Sequence, residues 1–180
     1  MKHILFTLSI LAMAITALAE DFTVDKITYE ITSQQTVSIV SADSTIQSAD
    51  LTPTVTHQGI TYSVREIDEN AFSECDSLKS VIIPWSVVSV RPFSFSSCPS
   101  LSSIIVDSNN PRYDSRENCN AIIETDRNML VVACKGTTIP HSVIRIKEFA
   151  FAALDEYLHV TNRDHGIYYF DNCLICARGL

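Results

Sequence analysis

The sequence has little of what common catalytic loops require. Only 4 of its 180 residues are glycine, and it contains no glycine-rich loop of the kind that holds phosphates. The metalloprotease pattern H-E-x-x-H and the nucleophile elbow G-x-S-x-G are also missing. These gaps exclude the best-known signatures of nucleotide-binding and hydrolytic enzymes. The sequence predicts no catalytic residue, no metal site and no cofactor.

Positive charge is also scarce. The chain has 13 lysine and arginine residues against 21 aspartate and glutamate residues, a formal net charge of −8. Nucleic acids and anionic membrane surfaces attract proteins with clustered positive charge. An acidic chain with scattered basic residues matches neither, so we expect no nucleic-acid partner.

The N-terminal apolar run is too short for a comfortable membrane span. It extends from Ile4 to about Ala17, follows the basic Lys2, and ends on Ala-Leu-Ala. That small-x-small pattern is typical of signal-peptidase cleavage. The sequence therefore predicts a signal peptide over residues 1–19, export to the periplasm, cell surface or medium, and no membrane span after cleavage.

Cysteines are too few for a miniature scaffold built on disulfides, although an exported chain can form them. The pair Cys173-x-x-Cys176 invites a redox or zinc interpretation. It lacks a second pair and a thioredoxin-like context, so a chance occurrence or a structural pair is favoured. The six cysteines are Cys75, Cys98, Cys119, Cys134, Cys173 and Cys176.

An internal repeat dominates the middle of the chain. The stretches "REIDENAFSECDSLKSVIIPWSV" and "VSVRPFSFSSCPSLSSIIVDSNN" align with a constant offset of 23 residues, and a third copy opens at "IRIKEFAFAAL", 56 residues beyond the second. The difference predicts an insertion of 33 residues in the second copy. Such units stack because none can bury both flanks alone. The aligned pairs are Ile67 with Val90, Ala71 with Ser94, Phe72 with Phe95, Cys75 with Cys98, Leu78 with Leu101, Val81 with Ile104, and Ile83 with Val106.

Stacking also explains the recurring cysteine. The β-branched runs "SVII" and "SIIV" predict parallel strands, and "DENAF" predicts a short helical turn. Equivalent residues of successive coils then lie about 4.8 Å apart, which places Cys75 beside Cys98 in the core. Cysteine packs there as a small hydrophobe, and no histidine recurs with it as a base. A Cys75–Cys98 disulfide is the alternative.

The repeat frame closely resembles a known family. Read from Ile67 to Val87, it is I-x-x-x-A-F-x-x-C-x-S-L-x-x-V-x-I-P-x-S-V, which is similar to BspA-like leucine-rich repeats of surface and secreted proteins in Bacteroidales-type bacteria. The insertion and the stretch "DFTVDKITYEIT" resemble further parts of such proteins. The resemblance covers residues 1 to about 152. It implies a leucine-rich-repeat solenoid, a right-handed coil with short parallel strands and short helical turns, which binds other molecules and has no enzymatic activity.

The insertion contains a predicted hairpin over residues 119–134, in which "CNAIIE" and "MLVVAC" flank the turn "TDRN". Symmetric pairing about that turn brings two cysteines opposite each other, at a separation that suits a disulfide. A register shifted by one residue would instead leave two free thiols, and both readings stay open. The predicted pairs are Ile123 with Leu130, Ala121 with Val132, and Cys119 with Cys134.

The two ends depart from the repeat. Residues 20–66 alternate like strands and predict a β-rich N-terminal cap over the core, with a polar loop at 41–50 and a turn at His57-Gln58-Gly59. The leucine-rich repeats then fill residues 67–152. Residues 153–180 form an atypical C-terminal segment, either a private cap or the remnant of a longer array.

Side chains between the inward-facing strand positions are the candidate binding residues. Strand alternation selects Lys79, Ile82, Ser102 and Ile105. Trp85 joins them because exposed tryptophan is common in binding hot spots, with packing onto the next coil as its alternative.

The leading functional hypothesis is a secreted or cell-surface module for adhesin-like protein–protein interactions. The resemblance implies a host matrix protein, a bacterial surface protein or a glycan as the ligand. Two alternatives remain: a truncated, non-functional fragment of a longer repeat protein and, less favoured, an exported thiol-redox protein.

Overall fold

The computed structural model describes residues 21–154, 167–170 and 173–177. The predicted signal peptide, residues 1–19, lies outside the described residues. So do most of the segment 153–180 and the side chains of Cys173 and Cys176.

The described residues form short strands and little helix. Two 3-10 turns, Arg116–Asn118 and Thr125–Arg127, both belong to the insertion. The strands are β1 (Asp21–Val24), β2 (Ile27–Ile31), β3 (Thr36–Ala42), β4 (Ser48–Asp50), β5 (Thr54–His57), β6 (Ile60–Ile67), β7 (Ser80–Ile83), β8 (Ser89–Val90), β9 (Ser103–Val106), β10 (Tyr113–Asp114), β11 (Ala121–Glu124), β12 (Met129–Ala133), β13 (Arg145–Ile146), β14 (Ile167–Phe170) and β15 (Cys173–Ala177).

The N-terminal strands form one sheet in the order β1-β2-β3-β6-β5, and β8 pairs in parallel with the end of β6. Its two tight hairpins are closed by residues with positive φ, Asp25 (49°) with Lys26 (68°) and Gln58 (49°) with Gly59 (80°). Two consecutive left-handed residues give the turn whose twist matches that of the flanking strands. The predicted turn at His57-Gln58-Gly59 is confirmed.

The predicted polar loop at residues 41–50 is wrong at both ends, and at its start β3 extends to Ala42. Ser48–Asp50 is strand β4, which pairs in parallel with β7. The stretch looks polar, but Ile46, Ala49 and Leu51 are buried at 5%, 2% and 3% exposure. Three small or medium apolar side chains are enough to seat this strand against the repeat core. They are too few to stand out in the sequence.

The predicted stacking of the repeat strands is confirmed. Strands β4, β7 and β9 form a parallel sheet in that order, and every pairing between β7 and β9 joins residues 23 apart, from Ser80 with Ser103 to Ile83 with Val106. The 23-residue offset of the repeat is therefore also the offset between hydrogen-bonded residues of β7 and β9. The molecule is a repeat protein whose successive coils share a sheet and a core.

The recurring apolar positions build that core. The Phe72 and Phe95 rings stack at 5.1 Å between centroids with an interplanar angle of 9°, and burial of each such ring stabilises the fold by roughly 1.5–3 kcal/mol. Cys75 and Cys98 are both fully buried in the core, as the core-spacing interpretation predicts. The other aligned repeat positions at 0–1% exposure are Ile67, Ala71, Leu78, Val81, Ile83, Ser94, Leu101 and Ile104.

The predicted short helical turn at "DENAF" is not helical. It is a series of separate turns, in which the N–H of Ser73 donates to the Asn70 carbonyl (2.9 Å) and the N–H of Cys75 donates to the Phe72 carbonyl (3.3 Å). Asn70 and Glu74 both have φ of 61°. A left-handed residue every fourth position breaks the run of right-handed residues that a helix needs.

The insertion contributes β10, β11 and β12 to the sheet β10-β11-β12-β13, whose last strand belongs to the third copy, and the predicted hairpin is confirmed as β11 paired antiparallel with β12. All four residues of β11 and four of the five in β12 are buried, because the hairpin lies between two apolar clusters. One face joins the core of the first two coils through Ile122, Val131 and Val132. The other joins the third coil through Ile123, Leu130 and Phe151.

Strand β12 lies beside the third coil, in the place that a preceding coil occupies elsewhere in the repeat. The N–H of Lys147 in the third copy donates to the Leu130 carbonyl at 2.8 Å, just as its counterpart Arg91 donates to the Ile67 carbonyl at 3.0 Å. β12 also pairs in parallel with β13, placing Leu130 beside Ile146. The insertion therefore lies between the second and third coils and continues the ladder.

Candidate functional site

The outer surface of the β7–β9 pair is the first candidate site. Alternation along the strands buries Val81, Ile83, Ile104 and Val106 and turns the residues between them outward. Ile82 and Ile105 are directly paired in the ladder and are exposed at 37% and 50%. Two isoleucines side by side on a solvent-facing strand surface form an apolar pair that water solvates poorly.

Polar side chains flank this apolar pair. Lys79 and Ser102 are exposed at the starts of the two strands, and the N–H of Ser102 donates to the Lys79 carbonyl at 3.0 Å. Asp50, which sequence reasoning missed because residues 41–50 look like a loop, pairs with Ile82 from β4. An apolar centre with a polar margin is the usual composition of a protein-binding patch.

Trp85 lies just beyond β7 on a braced turn. Its side chain is 46% exposed, and the turn closes with an N–H of Val87 donating to the Pro84 carbonyl (3.3 Å). Asn110 donates from Nδ2 to the carbonyls of both Pro84 and Val87 at 2.8 Å. The hydrogen bonds from Asn110 hold the turn in place, and Trp85 on that turn is half-exposed. Both observations fit a tryptophan positioned to contact a ligand. We call Lys79, Ile82, Trp85, Ser102 and Ile105 the repeat face.

The candidate disulfide pair is displaced by a bulge. Ile123 pairs with Leu130 as predicted, but Ala121 pairs with Ala133, because the register shifts by one residue between Ile122 and Ile123. The extra residue on β12 is Val131, which lies in the core. The predicted pairing of Ala121 with Val132 is therefore wrong.

Cys119 and Cys134 are consequently buried free thiols in this structure. The Cys134 thiol donates to the Asn120 carbonyl at 3.1 Å. Burial raises the pKa of Cys134 to about 11 from 9.0, with a further rise from the Cys119 charge and a partial offset by the Thr137 hydrogen bond. Burial also raises the pKa of Cys119. Thiols held in the protonated form are poor nucleophiles.

We expect Cys119 and Cys134 to resist iodoacetamide at about pH 8 in the folded protein and to react rapidly in denaturant, because the thiolate is the reactive form. Peptide-resolved mass spectrometry without reductant measures both residues. Rapid labelling of the folded chain would contradict the buried placement. A peptide pair linked through these residues would instead support the predicted disulfide.

Within residues 21–154 and the two short C-terminal strands, no group of three or more histidine, cysteine, aspartate or glutamate residues is placed to hold a metal ion. Over the same residues, no helix has the length and apolar character needed to cross a membrane.

Parallel strands with a 23-residue period, a shared apolar core and an exposed outer row define the class of this protein, a stacked repeat protein. Residues 52–125 match the family model described as BspA type leucine rich repeat region (6 copies). Residues 52–125 are therefore a leucine-rich repeat region of the BspA type. No curated protein sequence matches it.

Three solved structures are similar. A leucine-rich repeat protein from Bacteroides capillosus is 26% identical with a TM-score of 0.52, and the match covers 75% of this chain and 94% of that one. A leucine-rich repeat protein from Bacteroides ovatus is 28% identical with a TM-score of 0.46, over 50% of this chain. A leucine rich cell surface protein from Faecalibacterium prausnitzii is 24% identical with a TM-score of 0.46, over 51% of this chain. The match spans 24% of the length of each of the last two proteins.

Proposed function

We propose that this protein is a secreted or cell-surface binding module, not an enzyme, and that the repeat face is where it binds a protein ligand in an adhesin-like interaction. The observation that carries the proposal is the in-register pair Ile82 and Ile105, exposed at 37% and 50%. Outward positions on a strand with one buried face are usually polar. Desolvation of apolar area by a partner is the main source of binding free energy.

The proposal also assigns a role to each segment of the chain. Residues 1–19 would direct export and be removed, residues 20–66 would cap the repeats, residues 67–152 would form a right-handed solenoid, and residues 153–180 would form an atypical C-terminal segment, either a cap or the remnant of a longer array. The formal net charge of −8 supports a protein ligand over nucleic acid. A host matrix protein or a bacterial surface protein is the ligand class we favour.

The test is surface plasmon resonance of the purified chain against a panel of purified extracellular matrix proteins and outer-surface protein preparations. We expect saturable binding to at least one of them. The double variant Ile82→Asp/Ile105→Asp should weaken that binding at least about tenfold, because apolar residues at the centre of an interface are the ones whose loss costs most.

Ile144 provides a matched control. It is also an exposed isoleucine, at 72%, but it lies outside the repeat face, directly before β13. Ile144→Asp should leave binding unchanged. Absence of binding to every member of the panel, or an equal loss from the control variant, would overturn the proposed site.

A further inference from the structure

The C-terminal strand pair has the same register as the hairpin of the insertion. β14 has four residues and β15 five, as β11 and β12 have, and both pairs are antiparallel. In both, the register shifts after the second residue of the first strand, so that the third residue of the second strand is extra. The corresponding pairs are Ala121 with Ala133 and Ile167 with Ala177; Ile122 with Val132 and Tyr168 with Cys176; Ile123 with Leu130 and Tyr169 with Leu174; and Glu124 with Met129 and Phe170 with Cys173.

The spacing and the composition of the two hairpins also agree. β11 begins at residue 121 and β14 at residue 167, 46 residues apart, which is twice the 23-residue offset between β7 and β9. Seven residues of the insertion hairpin belong to the two apolar clusters, and all seven corresponding residues of the C-terminal pair are hydrophobic. They are Ile167, Tyr168, Tyr169, Leu174, Ile175, Cys176 and Ala177, in place of Ala121, Ile122, Ile123, Leu130, Val131, Val132 and Ala133.

The third coil has an apolar side that the insertion does not cover. Four of its hydrophobic residues are only half-buried, whereas the corresponding residues 56 positions earlier are 0–3% exposed. The insertion covers one side of this coil, because Ile123 and Leu130 share a cluster with Phe151. The remaining exposure is therefore on the opposite side, which we call the outer side of the third coil. The four residues are Ile139, Val143, Ile146 and Leu154, which correspond to Ile83, Val87, Val90 and Cys98.

We propose that residues 167–177 are a second copy of the insertion hairpin and that they pack on the outer side of the third coil. The first copy places one set of side chains in the core of the preceding coils, namely Ile122, Val131 and Val132. By the shared register, the corresponding residues face the third coil, namely Tyr168, Ile175 and Cys176. The apolar end of the repeat stack is then covered, as a terminal repeat requires. This docking does not depend on a ligand of the repeat face.

The same strand gives the pair Cys173-x-x-Cys176 a structural meaning. Both residues lie in β15, and a strand advances roughly 3.3 Å per residue. Three steps along it separate their Cα atoms by roughly 8–10 Å, which exceeds the ~7 Å that a disulfide can bridge. Their positions also differ, because Cys176 corresponds to the buried Val132 and Cys173 to the half-buried Met129. This placement disfavours the thiol-redox alternative and assigns Cys176 to the face that meets the third coil.

The first experiment is timed iodoacetamide labelling of the reduced, purified chain, followed by peptide-resolved mass spectrometry. We expect Cys173 to react at least about tenfold faster than Cys176 in the folded protein, because a buried thiol ionises poorly. In denaturant the two rates should be equal. Cys75, which is fully buried in the core, reports whether the repeats remain folded. Similar rates at Cys173 and Cys176 while Cys75 stays protected would overturn the proposal.

Two neighbouring tyrosines provide a matched pair of variants. Tyr168→Asp places a charge on the face that meets the third coil, and Tyr169→Asp places one on the opposite face. Because an unpaired buried carboxylate is unfavourable, Tyr168→Asp should release the hairpin and raise the labelling rate of Cys176 to that of Cys173. It should also speed hydrogen exchange at least about fivefold at the N–H of Leu154, which donates to the Phe151 carbonyl at 3.0 Å. Tyr169→Asp should change neither rate. If the two variants behave alike, the hairpin does not dock in the register of the insertion and the proposal fails.

Discussion

Replacement of Phe72 by alanine is expected to lower the free energy of unfolding by about 3–5 kcal/mol, the range for a fully buried phenylalanine. Phe72 is 0% exposed, and its ring stacks on Phe95 at 5.1 Å. The change therefore removes a contact between two coils as well as the side chain's own burial. Because whole domains are stable by only about 5–15 kcal/mol, this variant should unfold at a much lower urea concentration than the wild type.

Phe149→Ala is the matched control for that measurement. The same chemical change at a ring that is 42% exposed leaves no closed cavity, and we expect a cost of no more than about 1.5 kcal/mol. Equal midpoint shifts for the two variants would mean that the stacked phenylalanines do not join the coils into one cooperative unit.

Replacement of Arg116 by methionine is expected to cost about 2 kcal/mol and to loosen the insertion before the rest of the chain. The guanidinium donates to both carboxylate oxygens of Asp114, at 2.7 and 2.6 Å, and to Asn128 Oδ1 at 2.7 Å. Hydrogen bonds to charged groups are worth roughly 1.5–3 kcal/mol each, and the partial exposure of this pair places the net cost towards the lower end. Hydrogen exchange over residues 113–146 measures the effect.

Arg127→Met is the comparison for this variant. Arg127 also pairs with a carboxylate, Glu124, but at 3.5 Å and with a side chain that is 61% exposed. Exposed pairs of that kind contribute about 0–1 kcal/mol. If Arg127→Met accelerates exchange in the insertion as much as Arg116→Met does, the bidentate pair with Asp114 does not hold the insertion in place.

The same pair makes the insertion sensitive to acid. Burial alone would raise the pKa of the Asp114 carboxyl, but hydrogen bonds from Arg116 and Thr125 outweigh it and lower this pKa below the ordinary value of 3.8. A lowered pKa in the folded state stabilises the protein fully above the unfolded value, and that contribution is lost as the pH falls through the folded value. In Arg116→Met the pKa of Asp114 should rise, which a carboxyl-carbon NMR titration detects; an unchanged titration would exclude this pair as the cause.

Some features of this protein follow from the sequence alone because they depend on local periodicity. The 23-residue offset predicts the pairing of β7 with β9, since parallel strands of identical repeats can pair only with equivalent residues adjacent. The inward positions follow from strand alternation, and the hairpin of the insertion follows from two apolar runs around a polar turn. The exposure of Ile82 and Ile105 follows from the same alternation.

Other features were decided by the tertiary structure, because they depend on contacts between segments distant in the chain. The bulge at Val131 shifts the pairing of β11 with β12 because that side chain reaches the core of the first two coils. Strand β4 forms within a polar stretch because β7 offers it an edge. The left-handed turns replace a helix, since each coil must present its backbone N–H groups to the next one.

The contact between Phe93 and Phe149 likewise follows in part from the sequence and in part from the tertiary structure. The sequence alone places both phenylalanines at one repeat position. Only the structure shows that β12 lies between the second and third coils, accepting from Lys147 and donating to Ala150, and that the two rings contact each other. Period and alternation are properties of neighbouring residues, whereas the position of an inserted strand is set by which coil has free hydrogen-bonding groups and apolar surface to receive it.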